Sequence, residues 1–178
     1  MFRIPPVLLA SVLVTSAVAA CSRSAASSRS TGTAATATAT TAAVHGSACS
    51  QQLLTVADVG GILSAPITGT EEVPGTNGST CKFTTGSFTS ISVTLRPGAG
   101  KVSLGIWQGG HMPTASAPLA GVGDEAVWVP SLNEVVSEKN DLLCDIMAQG
   151  VARDLAGPVA VVQQKVGALC NKIFAAVK

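Results

Sequence analysis

Hydrophobic and polar positions along this chain change rhythm several times, and each change marks an element. An apolar run over residues 7–14 comes first, and residues 22–47 behind it have no apolar rhythm at all. Past them, Val56, Val59, Ile62 and Leu63 recur at helical spacing, which predicts a short helix with one buried stripe. Thr55 stands in front of it as an N-cap, and Asp58 falls at N3, where the helix dipole favours a carboxylate. Residues 50–54 predict a single turn before this helix. Gly60 and Gly61 weaken it by roughly 1 kcal/mol each relative to Ala, so its stability has to come from packing.

The rhythm then shifts to a period of two. Residues 66–79, rich in Gly, Pro and Asn, read as a loop, and Cys81-Lys82-Phe83 opens a strand. Residues 90–95 alternate strictly, with Ile91, Val93 and Leu95 to the inside and Ser90, Ser92 and Thr94 to solvent. Arg96-Pro97-Gly98 closes that strand. Residues 101–107 fit either a strand or a short helix, and residues 109–118 are a loop by composition. A further strand over residues 123–129 is entered through a Gly-rich turn. Residues 132–137 and 141–148 predict a hairpin turning at Glu138-Lys139-Asn140, with Leu142, Cys144, Ile146 and Ala148 on its inner face. Pro158 suits the first position of a closing helix. Val159, Val162, Val166, Leu169, Cys170, Ile173 and Val177 line one side of it, opposite Gln163, Gln164, Asn171 and Lys172.

This order predicts an α+β two-layer sandwich: short N-terminal helices, an antiparallel sheet of four or five strands, and a C-terminal helix packed on one face. It occupies residues 48–178, the size of one domain.

The first 47 residues speak of location. Residues 1–20 have the parts of an export signal, with Arg3 near the start, the apolar run, and small residues at the end. The run is shorter than the about 20 apolar residues that span a bilayer. Val18-Ala19-Ala20-Cys21 resembles a bacterial lipobox, which implies that Cys21 receives lipid and becomes the mature N-terminus. Five cysteines, Cys21, Cys49, Cys81, Cys144 and Cys170, agree with this, since lipidation of Cys21 leaves four to pair in an oxidising compartment. Residues 21–47, almost wholly Ser, Thr, Ala and Gly, cannot bury enough apolar surface to offset the entropy of ordering. They are expected to be a tether with an r.m.s. reach of roughly 30 Å.

Charge and candidate chemistry narrow the function classes. From residue 49 onward eight Lys and Arg face ten Asp and Glu, a formal charge of −2, so the basic patch of a nucleic-acid binder is absent. Phe83, Phe88, Phe174, Trp107 and Trp128 are the domain's only aromatic residues, too few for a stacking platform. His45 falls in the tether and His111 in a loop, so no histidine pair stands at metal-ligand spacing. Asp124 and Glu125 are adjacent on a strand and point to opposite faces, which reads as turn and edge charge rather than as a catalytic pair. Asn77-Gly78-Ser79 reads as a turn. No cofactor and no metal is expected, and no catalytic residue is assigned. Of the three pairings open to Cys49, Cys81, Cys144 and Cys170, the element placement favours 49 with 81 and 144 with 170.

Three segments also carry a resemblance: Cys49-Ser50-Gln51-Gln52-Leu53-Leu54-Thr55-Val56-Ala57-Asp58-Val59, then Cys81-Lys82-Phe83, then Leu119-Ala120-Gly121-Val122-Gly123-Asp124-Glu125-Ala126-Val127-Trp128. Together they resemble small secreted lipoproteins of unknown function, abundant in actinobacteria, of the DUF3558 group. The resemblance implies a domain similar to the α+β lobe of beta-lactamase inhibitor proteins, and it brings no catalytic residues. The expectation is an exported lipoprotein, anchored through Cys21 to the bacterial cell envelope, carrying a non-catalytic binding domain for a protein or cell-wall partner. The alternatives are a lipid or small-ligand carrier, or a small envelope enzyme.

Overall fold

Strict alternation at residues 90–95 sets the centre of the molecule. The computed structural model describes residues 47–75, 78–86, 88–110, 112, 114–150 and 152–177. In it this segment is strand β3 (Ser90–Pro97), paired antiparallel with β2 (Gly78–Thr85) and β7 (Leu142–Gln149). The register places Cys81 beside Val93 and Val93 beside Ile146, so the inward rows of three strands join into one apolar surface. Ile91, Val93, Leu95, Phe83, Cys144, Ile146 and Ala148 are all buried there.

Seven antiparallel strands make the sheet, in the order β1-β2-β3-β7-β6-β5-β4, which corrects the expected four or five. The additional ones are β1 (Ile67–Gly75) and β4 (Ala117–Pro118), both inside segments expected to be loops. β1 is an edge strand whose residues are exposed from Thr70 onward, so nothing imposes apolar alternation on it. Its two acids, its proline and a register shift between Ile67 and Gly69 blunt that edge against further pairing. The remaining strands are β5 (Glu125–Val129) and β6 (Glu134–Lys139). Between β6 and β7 the chain turns at Asn140 and Asp141, both with positive φ, so Glu138 and Lys139 stay in the strand rather than forming the turn.

Helix α3 (Val159–Ala176) covers the inward face with Val162, Val166, Leu169, Cys170 and Ile173. Its approach depends on Gly167, where a Cβ would come within 2.7 Å of the Val122 side chain. The sequence stripe ran further than the contact does, since Val159 remains exposed. Helix α1 (Val56–Val59) has the expected capping box between Thr55 and Asp58, but it ends at Gly60 rather than running through Leu63. Ile62 and Leu63 are buried nevertheless.

Residues 100–108 resolve to a helix, α2 (Gly100–Gln108), on the opposite face of the sheet. Leu104 and Trp107 pack there on Val127, Val136 and Leu143 from β5, β6 and β7. The two-layer expectation therefore gains a partial third layer. Its cause is visible in the strands, since β5 to β7 carry apolar residues on both faces.

Two disulfides fasten the layers. Cys49 is bonded to Cys81, at a Cα separation of 5.1 Å, which ties the N-terminal turn to β2. Cys144 is bonded to Cys170, at 5.9 Å, which joins the middle of the sheet to α3.

Candidate functional site

On the outward face of the sheet α2 packs on β5, β6 and, at Leu143, the start of β7, and the rows of β2, β3 and the rest of β7 lie beside that contact. Alternation places Thr80, Lys82, Ser92, Thr94, Arg96, Met147 and Gln149 on it, all but Gln149 half-buried. No aromatic side chain stands in these rows. Neighbouring hydroxyls and amides pair across strands: Thr80 Oγ1 and Thr94 Oγ1 are 2.8 Å apart, and Ser90 Oγ donates to Gln149 Oε1 at 2.8 Å. Lys82 and Glu71 face each other at 3.8 Å across β2 and β1. The result is a polar platform with pre-set hydrogen bonds rather than an apolar patch.

At the border between this platform and α2 sit two acids that the sequence reading did not single out. Glu134 on β6 lies opposite Met147, and Asp145 on β7 lies opposite Val136, so the two are diagonal neighbours on one face. Glu134 is 5 % exposed, and its Oε2 has no hydrogen-bond partner. Burial pushes the Glu134 carboxyl up to about 9, with the Asp145 charge and the hydrogen bond between the two carboxyls adding to the rise. Burial raises Asp145 as well, while its hydrogen bond with Glu134 and the positive charge of Arg96 act against the rise. A buried pair of this kind shares a proton at neutral pH, with Glu134 as donor and Asp145 as acceptor. Its trace in the sequence is an acid set within the apolar run Leu142-Leu143-Cys144-Asp145-Ile146-Met147-Ala148.

The residues weighed from sequence fall elsewhere. Asp124 accepts a hydrogen bond from the Asn140 backbone N–H at 3.2 Å, and its own N–H donates to the Glu138 carbonyl at 2.8 Å, so it braces the β6–β7 turn. Gly123 beside it has φ +59 and no room for a Cβ, which would lie 2.3 Å from the Glu138 carbonyl oxygen. Glu125 accepts from Gln108 Nε2 at 3.2 Å, linking β5 to the end of α2. Asp124 and Glu125 are thus held apart in separate contacts. Cys49, Cys81, Cys144 and Cys170 are all in disulfides. Cys21, His45, Asn77 and His111 lie outside the described residues. Among the described residues no three of His, Cys, Asp and Glu gather into a set able to hold a metal ion. None of the described helices is long and apolar enough to cross a membrane.

A concavity of about 370 Å³ opens between α1 and α3. Ile62, Leu169, Ala57 and Ala168 form its apolar floor. Lys165 and Lys172 stand over it, donating respectively to the Gly61 carbonyl and to Asp58.

Set against family models, curated proteins and solved structures, the chain matches none of them.

Proposed function

We propose that this protein is an envelope-anchored lipoprotein whose folded domain is a non-catalytic binding module for a protein or cell-wall partner. Lipid on Cys21 holds it to the membrane, and residues 22–47 carry the domain clear of the headgroups. One observation carries the reading: the outward face of β2, β3 and the end of β7, beside the α2 contact at Leu143, is a polar platform on which hydroxyls, amides and charges are already ordered. Partner groups meeting side chains held in place by a sheet lose less entropy than groups meeting mobile loops. The Glu134–Asp145 pair is the strongest candidate for acid–base chemistry, but the hydroxyl in register with Asp145, that of Thr94, is already paired with Thr80 at 2.8 Å, and no histidine stands among the described residues. The test is retention of envelope components by the full chain and by Ser92→Arg, which places a large cation in the middle of the platform. Loss of a retained component in the variant supports the reading, and unchanged retention ends it.

The groove between α1 and α3 favours a second reading, a carrier of a small amphiphile with an anionic head, because two lysines stand over an apolar floor. Titration with decanoate, followed by NMR shifts at Ala168 and Leu169, tests it. Saturable shifts support carriage, and their absence removes it.

A further inference from the structure

We propose that Glu134 and Asp145 form a proton-operated latch on α2: while the carboxyls share one proton the helix stays seated on the sheet, and loss of that proton to solvent releases it. The latch operates whether or not the polar platform has a partner.

The placement carries this. Val136 is the register partner of Asp145 and shares a face with Glu134 two positions before it on β6. Val136 is also one of the three strand residues, with Val127 and Leu143, buried against Leu104 of α2. The pair therefore borders the contact that seats the helix. With the proton in place, Glu134 donates to Asp145 and the two carry a single negative charge between them. Without it, two carboxylates lie next to each other, Glu134 buried and Asp145 half-buried, with Glu134 Oε2 lacking even a hydrogen bond. Exposing the pair by lifting α2 is the direct relief.

Few other charges face the pair. Arg96 on β3 lies one residue row beyond Asp145 and lowers its charging cost, and Lys82 on β2 is engaged with Glu71 on β1. Glu138, next on the same face of β6, accepts from the Asp141 backbone N–H at 3.3 Å, and Glu125 on β5 lies opposite Glu138. The only charged residue of α2 is Lys101, which is exposed at its first turn. No cation among these takes over Glu134 when its proton leaves, and the charge it then meets is that of Asp145.

The sign follows from linkage. A carboxyl whose folded-state value is raised contributes stability that is complete below the unfolded value of about 4 and is lost as pH climbs toward the folded one. For Glu134 that window runs from about 4 up to about 9. Losing one proton on opening raises the opening equilibrium about tenfold per pH unit inside it.

The experiment is amide hydrogen exchange on the full chain between pH 5 and 9, corrected for the intrinsic rate, comparing α2 with the central strands β3 and β7. The latch predicts that opening of the α2 amides at residues 104–108 rises about tenfold per pH unit, while β3 and β7 respond far less. In Glu134→Gln, which keeps the shape of the protonated acid without its proton, the α2 response flattens to within twofold. Asp145→Asn serves as a second variant: it removes the charge and hydrogen bond that add to the rise of the Glu134 carboxyl but leaves its burial, so the α2 response levels off at a lower pH than in the wild type. A pH-independent α2 in the wild type, or a variant that keeps the wild-type profile, overturns the proposal.

Discussion

Asp58 in α1 and Lys172 in α3 form an ion pair across 114 residues of sequence. The same carboxylate closes the capping box on Thr55, so one side chain both starts α1 and fastens it to α3. Hydrogen bonds from Lys172 and from Thr55 hold its pKa down at about 2.

Replacing Asp58 with Ala should therefore cost about 1 to 2 kcal/mol, about 1 from the lost cap and less than 1 from a pair that is half exposed. A depressed carboxyl stabilises above its unfolded value of about 4 and loses that contribution as pH falls toward 2. Urea denaturation at pH 7 and pH 2.5 checks both parts. The wild type should exceed Asp58→Ala at pH 7, and most of the difference should vanish at pH 2.5.

The Cys144–Cys170 bond closes a loop of 26 residues and the Cys49–Cys81 bond one of 32. On the chain-entropy model, removing either one by a Cys→Ala change lowers stability by about 3 to 4 kcal/mol. Cys144→Ala should be the more damaging in practice, because both sulfurs of this bridge are fully buried in the core, whereas Cys49 of the other is half-buried. Thermal unfolding with a thiol count before and after denaturation is the measurement. In the variant one additional thiol should react, and only after unfolding.

How far the sequence could be read follows from where packing imposes a pattern. β3 and α3 each bury one side, and β7 does so from Asp145 onward, so their periods of two and 3.6 were plain, and with them the disulfide between their inner faces. β1 was hidden because an exposed edge strand needs no alternation, and Ile67-Thr68-Gly69-Thr70 followed by two glutamates looks like a loop. The extent of the sheet beyond five strands was lost with it. α2 was ambiguous because Leu104 and Trp107 are its only buried or half-buried large side chains facing the sheet, too few to separate a helical from a strand period. The candidate site was the least legible part. Glu134 and Asp145 are 11 positions apart and meet only through the β6–β7 register, which the sequence pattern leaves undetermined to within a residue.

Cys21→Ser should release the protein from membranes and abolish lipid labelling, while leaving the folded domain unchanged. Fractionation after a high-salt wash, with metabolic labelling by a fatty-acid analogue, reads this. Persistence of the variant in the washed membrane fraction would show that the anchor lies elsewhere.

A non-catalytic domain should turn over no envelope substrate, and His111→Ala and Glu125→Ala should leave its partner binding intact. Asp124→Ala is a different matter, since Asp124 braces the β6–β7 turn, and it should lower stability by about 1 kcal/mol. Hydrolysis assays on peptidoglycan fragments and ester substrates check the first point, and any activity that disappears in His111→Ala would bring the enzyme reading forward.

The most direct test of the binding reading is site-specific photocrosslinking in cells producing the full, lipid-anchored chain. A photoreactive residue in place of Ser92, at the centre of the polar platform, is compared with one in place of Val102, which is 71 % exposed on α2 away from it. The account predicts a discrete adduct from position 92 and none of the same species from position 102. Adducts of equal yield from both positions, or from position 102 alone, would contradict it.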